Sequence, residues 1–419
     1  MEIARDLYLE KLIQRKHNRL VKVITGIRRC GKSYLLRTLF KNHLIAKGVS
    51  EDLIVEMSFD ERDNAQYRDP DVFYTWAKDK LKGEGLHYFL LDEVQMLGDF
   101  ESVLNGLLGK DKADFYVTGS NAKFLSRDII TEFRGRGDEV HIRPLSFAEF
   151  MTVYSGDQYQ GFEDYIYYGG LPAVVLMQTE EQKIDFLQRL FKETYISDIV
   201  GRNKIRKRGE LEDLIDVLAS NIGTLTNPSK LQNAFSSIKK SKIATPTIKK
   251  YLDTLEDSFL IEGAKRYDVK GKAYIETPLK YYFTDLGLRN ARINYRQIEK
   301  THSMENVIYN ELRIRQFNVD VGVVSFSERN KAGIPLKKQL EVDFVCNKGS
   351  KRYYIQSAYS IPDQEKMEQE TRSLKRISDS FKKIIITADM TMSRPHYNDD
   401  GILLLNVFDF LLNPELMDF

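Results

Sequence analysis

Residues 21–33 read VKVITGIRRCGKS, and this stretch decides the fold. The apolar, β-branched run from Leu20 to Thr25 predicts a buried strand, which feeds Gly26, four further residues, then Gly31, Lys32 and Ser33. Glycines at these positions leave room for backbone N–H groups to wrap a phosphate chain. The helix that follows aims its positive end at the same charge. The spacing is that of a P-loop. It casts Gly26, Ile27, Arg28, Arg29, Cys30, Gly31, Lys32, Ser33 and Tyr34 as a nucleotide cradle, with Lys32 on the β/γ-phosphates and the Ser33 hydroxyl on Mg²⁺. Cys30, beside two arginines and a helix start, is expected to favour its thiolate.

Outward from this loop, His87 to Leu91 predicts a second buried strand ending in Asp92-Glu93. An aspartate there can hold the Mg²⁺ shell, and an adjacent glutamate can polarise a water. No Asn-Lys-x-Asp guanine signature follows, so ATP is the expected nucleotide. A third strand, Asp114 to Thr118, leads to Ser120 and Asn121, either of which is placed to sense the γ-phosphate or simply to make a turn. In Phe133-Arg134-Gly135-Arg136-Gly137, Arg136 is the preferred arginine finger, for its own or a neighbouring subunit's nucleotide. Strands at Leu53–Phe59 and near Arg143, alternating with helices, predict an α/β domain with a parallel sheet over residues 1–150. A leading amphipathic helix is expected to turn Leu7 and Ile13 inward.

The chain has 419 residues, 42% hydrophobic and 11% aromatic, enough for two or three packed domains, and its net charge of +2 selects no partner class. Cys30 and Cys346 stand far apart, which excludes a disulfide framework and a cysteine-rich zinc site. No apolar run approaches the ~18 residues of a membrane span, and the opening residues lack a signal-type core. A soluble, cytoplasmic protein is expected.

Residues 151–210 predict a helical linker rich in Tyr and Phe, turning at Gly169-Gly170-Leu171-Pro172. Residues 211–300 predict a winged helix-turn-helix. Its candidate recognition helix starts at Thr245-Pro246 and turns Ile248, Leu252 and Leu255 inward. Residues 230–250 carry Lys230, Lys239, Lys240, Lys242, Lys249 and Lys250 with no acid, so Lys239, Lys240, Lys242, Lys249 and Lys250 are candidate contacts to double-stranded DNA. A protein-docking role for the same module stays open. The wing is expected to turn at Lys270-Gly271-Lys272.

Residues 301–419 predict an α/β domain in which Glu305, Glu341, Asp343 and Gln356 take the layout of a metal-dependent restriction-type nuclease. The lysine expected two positions after Gln356 is Ala358. Without a positive group there, cleavage is expected to be crippled and the domain degenerate.

GIRRCGKS, YFLLDEVQ, VTGSNA, RGRG, RPLSFAEF and GGLPAVV, in this order, resemble the prokaryotic AAA-superfamily ATPases close to the archaeal-ATPase group, which carry a C-terminal region of unknown function. KYYFTDLGLRN, MENVIYNEL, EVDFV and YIQSA fit that region. The resemblance implies an AAA-type ATPase core, a winged helix and a restriction-endonuclease-like tail. It implies Gly26, Gly31, Lys32 and Ser33 as phosphate loop, Asp92 and Glu93 as metal and water motif, and Ser120 or Asn121 as sensor. Three functions are compatible with these residues: an ATPase that controls a partner, a tight-binding ATP switch or scaffold, and an ATP-gated nuclease. The protein partner and the choice between monomer and homo-oligomer stay open.

Overall fold

The computed structural model describes residues 3–119, 133, 135–236, 243–296, 298–329, 335–389, 392 and 394–419. The chain is α/β and divides into two compact units, residues 1–144 with 257–259, and residues 145–256 with 260–419.

The first unit is built on five parallel strands: β1 (Val21–Thr25), β2 (Ile54–Ser58), β3 (His87–Asp92), β4 (Ala113–Thr118) and β5 (Gly137–His141). Their order across the sheet is β2-β3-β4-β1-β5. Every residue of β1, β3 and β4 is buried, as strands covered on both faces require, and the charges this encloses on β1 and β4, Lys22 and Asp114, pair with each other. Phe89, Phe115, Val117, Phe73 and Leu104 make the core on one side. Because β1, β4 and β3 are adjacent and parallel, the carboxyl ends of all three open on one edge.

Two expectations change here. The leading helix, Asp6–Gln14, buries Tyr8 and Leu12, while Leu7 is 43% exposed. Tyr8 takes the inward place because its ring lies under the Arg5 guanidinium and its hydroxyl accepts from the Arg143 N–H. The last strand is β5, ahead of Arg143. Ser146 instead caps helix Phe147–Met151 in a reciprocal capping box with Glu149.

The second unit has a nine-stranded mixed sheet. Its strands are β6 (Leu225–Thr226), β7 (Ile261–Asp268), β8 (Ala273–Phe283), β9 (Asn318–Arg329), β10 (Pro335–Lys348), β11 (Lys351–Ala358), β12 (Lys382–Thr387), β13 (His396–Tyr397) and β14 (Leu403–Asn406). Their order is β13-β14-β12-β11-β10-β9-β7-β8-β6. The β7–β8 hairpin, which the sequence presents as a wing, runs into the C-terminal strands: Arg266, Tyr267 and Asp268 pair in parallel with Val321, Gly322 and Val323. Register shifts between Ala264 and Arg266 and between Val342 and Val345 bend the sheet. Helix Lys300–Ile314 packs on it. Ahead of the sheet, Asp285 fixes the Gly-Gly turn by accepting from the Gly170 N–H at 2.8 Å and the Leu288 N–H at 3.0 Å. Among the described residues, no helix is long and apolar enough to cross a membrane.

Candidate functional site

The phosphate loop leaves β1 at Thr25 and turns through three positive-φ residues, Gly26 (142°), Arg29 (68°) and Gly31 (99°). A Cβ on Gly26 would lie 2.2 Å from the Ile142 carbonyl oxygen, so only glycine lets the exit of β5 approach the loop this closely. Gly31 leads into the helical segment over residues 32–46. Lys32 is buried, and its Nζ donates to the carbonyls of Gly26 and Ile27, both at 3.0 Å. Arg28, Arg29 and Ser33 are exposed, Tyr34 is half-buried and Ile27 is buried.

The loop is held from below by a residue with no motif of its own. Arg5 is 3% exposed and donates from Nη1 to the Cys30 carbonyl at 3.0 Å and from Nη2 to the Arg143 carbonyl at 2.7 Å. It ties the loop to the strand exit beside it. Arg5→Ala strips a charged donor from two carbonyls, at a cost of about 2–3 kcal/mol. The expected result is a lower urea midpoint and ATP affinity reduced roughly tenfold or more, both measured on the full chain.

Cys30 departs from expectation. It is fully buried, its Sγ faces the Ile142 carbonyl at 3.8 Å, and burial pushes the thiol pKa up despite Lys32 and Arg5 nearby. The arginines beside it in sequence are exposed, and the cations that act on the thiol are Lys32 and Arg5. Alkylation of the native protein at Cys30 is therefore expected to be slow with or without ATP. A fast reaction blocked by saturating ATP would contradict the placement.

Asp92 ends β3, one residue beyond the Leu91–Val117 pairing with β4. The Thr118 hydroxyl donates to Asp92 Oδ1, and its Oγ1 accepts from the Glu93 N–H at 3.2 Å. Burial raises the Asp92 pKa, opposed by hydrogen bonds from Thr118 and Ser33, which places the Ser33 hydroxyl against the same carboxylate. Thr118 was not singled out from sequence. The signal was the register: equal apolar strands ending in Asp92 and Thr118 place those two side by side.

Glu93 adopts a left-handed backbone, φ 52° and ψ 44°, which a non-glycine residue takes at a cost of about 1 kcal/mol or more. The twist turns the chain away from β3 directly after Asp92. Gln95 donates from its side-chain amide to the Glu93 carboxylate.

Arg136 lies at the other end of the sheet. Its carbonyl accepts from the Val21 N–H at 2.8 Å, at the amino end of β1. The phosphate loop starts after Thr25, about 13 Å away along the strand. Arg136 is thus remote from its own chain's loop. Ser120, Asn121, Lys239, Lys240 and Lys242 lie outside the described residues. Lys249 and Lys250 are exposed on helix Thr245–Asp257, whose Ile248, Leu252 and Leu255 are buried.

In the second unit the structure gathers Glu305, Glu341 and Asp343, and it adds Lys280, which sequence reading passed over. Lys280 Nζ lies 2.8 Å from Glu305 Oε1, 2.7 Å from Glu341 Oε1 and 3.5 Å from Asp343 Oδ1. The Tyr282 hydroxyl donates to Glu305 Oε1 at 2.6 Å, and the Ser357 N–H donates to Asp343 Oδ2 at 2.9 Å. Burial disfavours charge on Glu305, yet Lys280, His302 and Tyr282 hold its pKa below the usual range. Burial and the Glu305 charge push Asp343 up to about 7. Gln356, one position past the Phe344–Ile355 pairing, falls beside Asp343, and its Oε1 is buried without a hydrogen-bond partner. The expectation that this site lacks a positive group is overturned, because Lys280 supplies one from β8. No spacing rule could have found it, since Lys280 and Glu341 stand 61 positions apart and only the bent sheet joins them.

The phosphate loop, the Asp-Glu strand end and the β2-β3-β4-β1-β5 sheet define a P-loop NTPase of AAA type. A family model described as an AAA domain matches residues 18–151, and one described as a domain of unknown function (DUF8612) matches residues 159–299. The chain belongs to this family of AAA-domain proteins with a C-terminal region of unknown function. It is 34% identical over 419 residues to an uncharacterized protein of Haemophilus influenzae, covering 98% of each. It is 25% identical to an uncharacterized protein of Methanocaldococcus jannaschii, covering 97% of this chain and 88% of that one. Among solved structures it is similar to the Aeropyrum pernix ORC1 protein in complex with DNA, at 10% identity and a TM-score of 0.29, covering 70% of this chain and 93% of that one.

Proposed function

We propose that this chain binds ATP and hydrolyses it to ADP and phosphate with Mg²⁺, and that its nucleotide state governs how the second unit engages a partner, duplex DNA. The single observation that carries the reading is the meeting of Lys32, Ser33, Asp92, Thr118 and Glu93 at the carboxyl ends of β1, β3 and β4.

The chemistry follows from the donors present. Backbone N–H groups of the loop and the Lys32 ammonium neutralise the β/γ-phosphates. Ser33 and Asp92 offer hard oxygen ligands that fit Mg²⁺, which when bound offsets charge on the phosphate oxygens. Thr118 fixes the Asp92 carboxylate. Glu93 orients water for attack on the γ-phosphorus and takes up its proton.

The DNA element rests on Lys249 and Lys250, both exposed on helix Thr245–Asp257 and within residues 230–250, which carry no acid. The test is an ATPase assay with and without duplex DNA across a salt series. Stimulation that fades as salt rises is expected, since released counterions drive such binding. DNA-independent rates at every salt concentration would remove the DNA partner and leave the ATPase standing. A second reading, a tightly held ATP switch with little turnover, is favoured by the hold of Gln95 on Glu93. Retained ATP with hydrolysis below detection would select it.

A further inference from the structure

The carboxylates of Glu305, Glu341 and Asp343 hold the positions expected of a metal-dependent phosphodiester-cutting site, yet their geometry does not fit a metal. Among the described residues, no group of three His, Cys, Asp or Glu side chains is arranged to hold one. The Lys280 ammonium is the reason. It is 4% exposed and stands among all three acids, at 2.8, 2.7 and 3.5 Å.

Mg²⁺ bonds carboxylate oxygens at about 2.1 Å and Ca²⁺ at about 2.4 Å. A cation bonded to the same three groups would have to lie inside the volume the ammonium fills, against its charge. Further lone pairs are engaged on the two buried acids. Glu305 Oε1 accepts from both Lys280 and Tyr282, and Asp343 Oδ2 accepts from the Ser357 N–H. His302 Nδ1 lies 3.8 Å from the other oxygen, Glu305 Oε2.

The geometry points to Lys280 as a resident cation, standing where a divalent metal would otherwise sit and closing this carboxylate site to metal. The lysine does from within the chain what a metal would do: it lets three acids approach one another at the meeting of β8, β10 and helix Lys300–Ile314. Register shifts in β7 and β10 bend the sheet and bring β8 over β10, although two strands lie between them in the sheet order. The site is therefore a latent divalent-cation site, exposed by removing one side chain. This inference is independent of the nucleotide reading, because it needs no ATP and lies wholly within the second unit.

The test titrates nucleotide-free full-length protein with Mn²⁺ alone. Each protein is compared with its Asp343→Asn counterpart, so that manganese held elsewhere cancels. Wild type and Asp343→Asn are expected to bind the same number of Mn²⁺ ions. Lys280→Ala is expected to bind one ion more than Lys280→Ala/Asp343→Asn, at least tenfold tighter than any Mn²⁺ that wild type holds in this unit, and to gain thermal stability with Mn²⁺. Should Lys280→Ala fold only when Mn²⁺ is added, that rescue supports the same conclusion. A wild-type Mn²⁺ ion lost on Asp343→Asn overturns the inference, as does a folded Lys280→Ala protein that gains no ion. If Lys280→Ala folds under no condition, the wild-type comparison decides alone.

Discussion

Glu93→Gln is expected to leave ATP binding unchanged and to lower hydrolysis by about 10²–10⁴-fold, the range in which a positioned general base acts. The amide is nearly isosteric, so the left-handed turn after Asp92 and the Thr118 contact to the Glu93 N–H both survive. What disappears is the carboxylate that orients water and accepts its proton. Asp92, Ser33 and Lys32 are untouched, so affinity has no reason to fall. Equal turnover in variant and parent would take the water-activating role from Glu93. A parallel loss of binding would mean that Glu93 acts on the loop rather than on water.

Lys32→Ala acts on the other half of the site. Without nucleotide, the Lys32 ammonium is satisfied by the Gly26 and Ile27 carbonyls at 3.0 Å. A triphosphate offers it stronger, charged acceptors, and the side chain then moves from its own loop to the ligand. The net gain is that of exchanging neutral acceptors for charged ones, about 1–2 kcal/mol or roughly ten- to thirtyfold in Kd. Loss of ATP affinity of that order is expected, read by titration with a fluorescent ATP analogue. Hydrolysis should fall further, because charge on the phosphates grows toward the transition state. Unchanged affinity would show that Lys32 stays on its own carbonyls when ATP binds and would take the phosphate-neutralising role from it, whereas no binding by the parent protein would remove the foundation of the ATPase proposal.

The two halves of the molecule were not equally legible. In the first unit every strand that matters is a short, fully buried apolar run, and the loop chemistry is local. Gly26, Gly31, Lys32 and Ser33 sit within eight residues, and Asp92 and Glu93 are adjacent. Such a site can be read from spacing because the chain itself carries the groups to one place. Even here, roles that depend on distant contact escaped. Arg5 reaches the loop from the leading helix, Cys30 turns into the core instead of toward solvent, and the polar contact to both acids comes from Thr118. Arg136 stands in a linear motif, yet β5 runs parallel to β1 and returns it to the amino end of the sheet, away from its own chain's loop.

In the second unit the acids were visible as an alternating pair on one strand plus a helix residue, but their meaning was not. Ala358 at the expected lysine position suggested a site without positive charge. The charge arrives from β8, on a strand pair that local pattern presents as a free-standing wing.

The sequence by itself determined the nucleotide-type core, its α/β class and the residues of the phosphate loop, because these follow from the period of burial and from short-range backbone geometry. Only the tertiary structure decided that β7 joins β9 in one sheet and that Lys280 stands among Glu305, Glu341 and Asp343. Both depend on a sheet bent at two register shifts, and the partners that bend brings together are separated by tens of residues, beyond the reach of any local pattern.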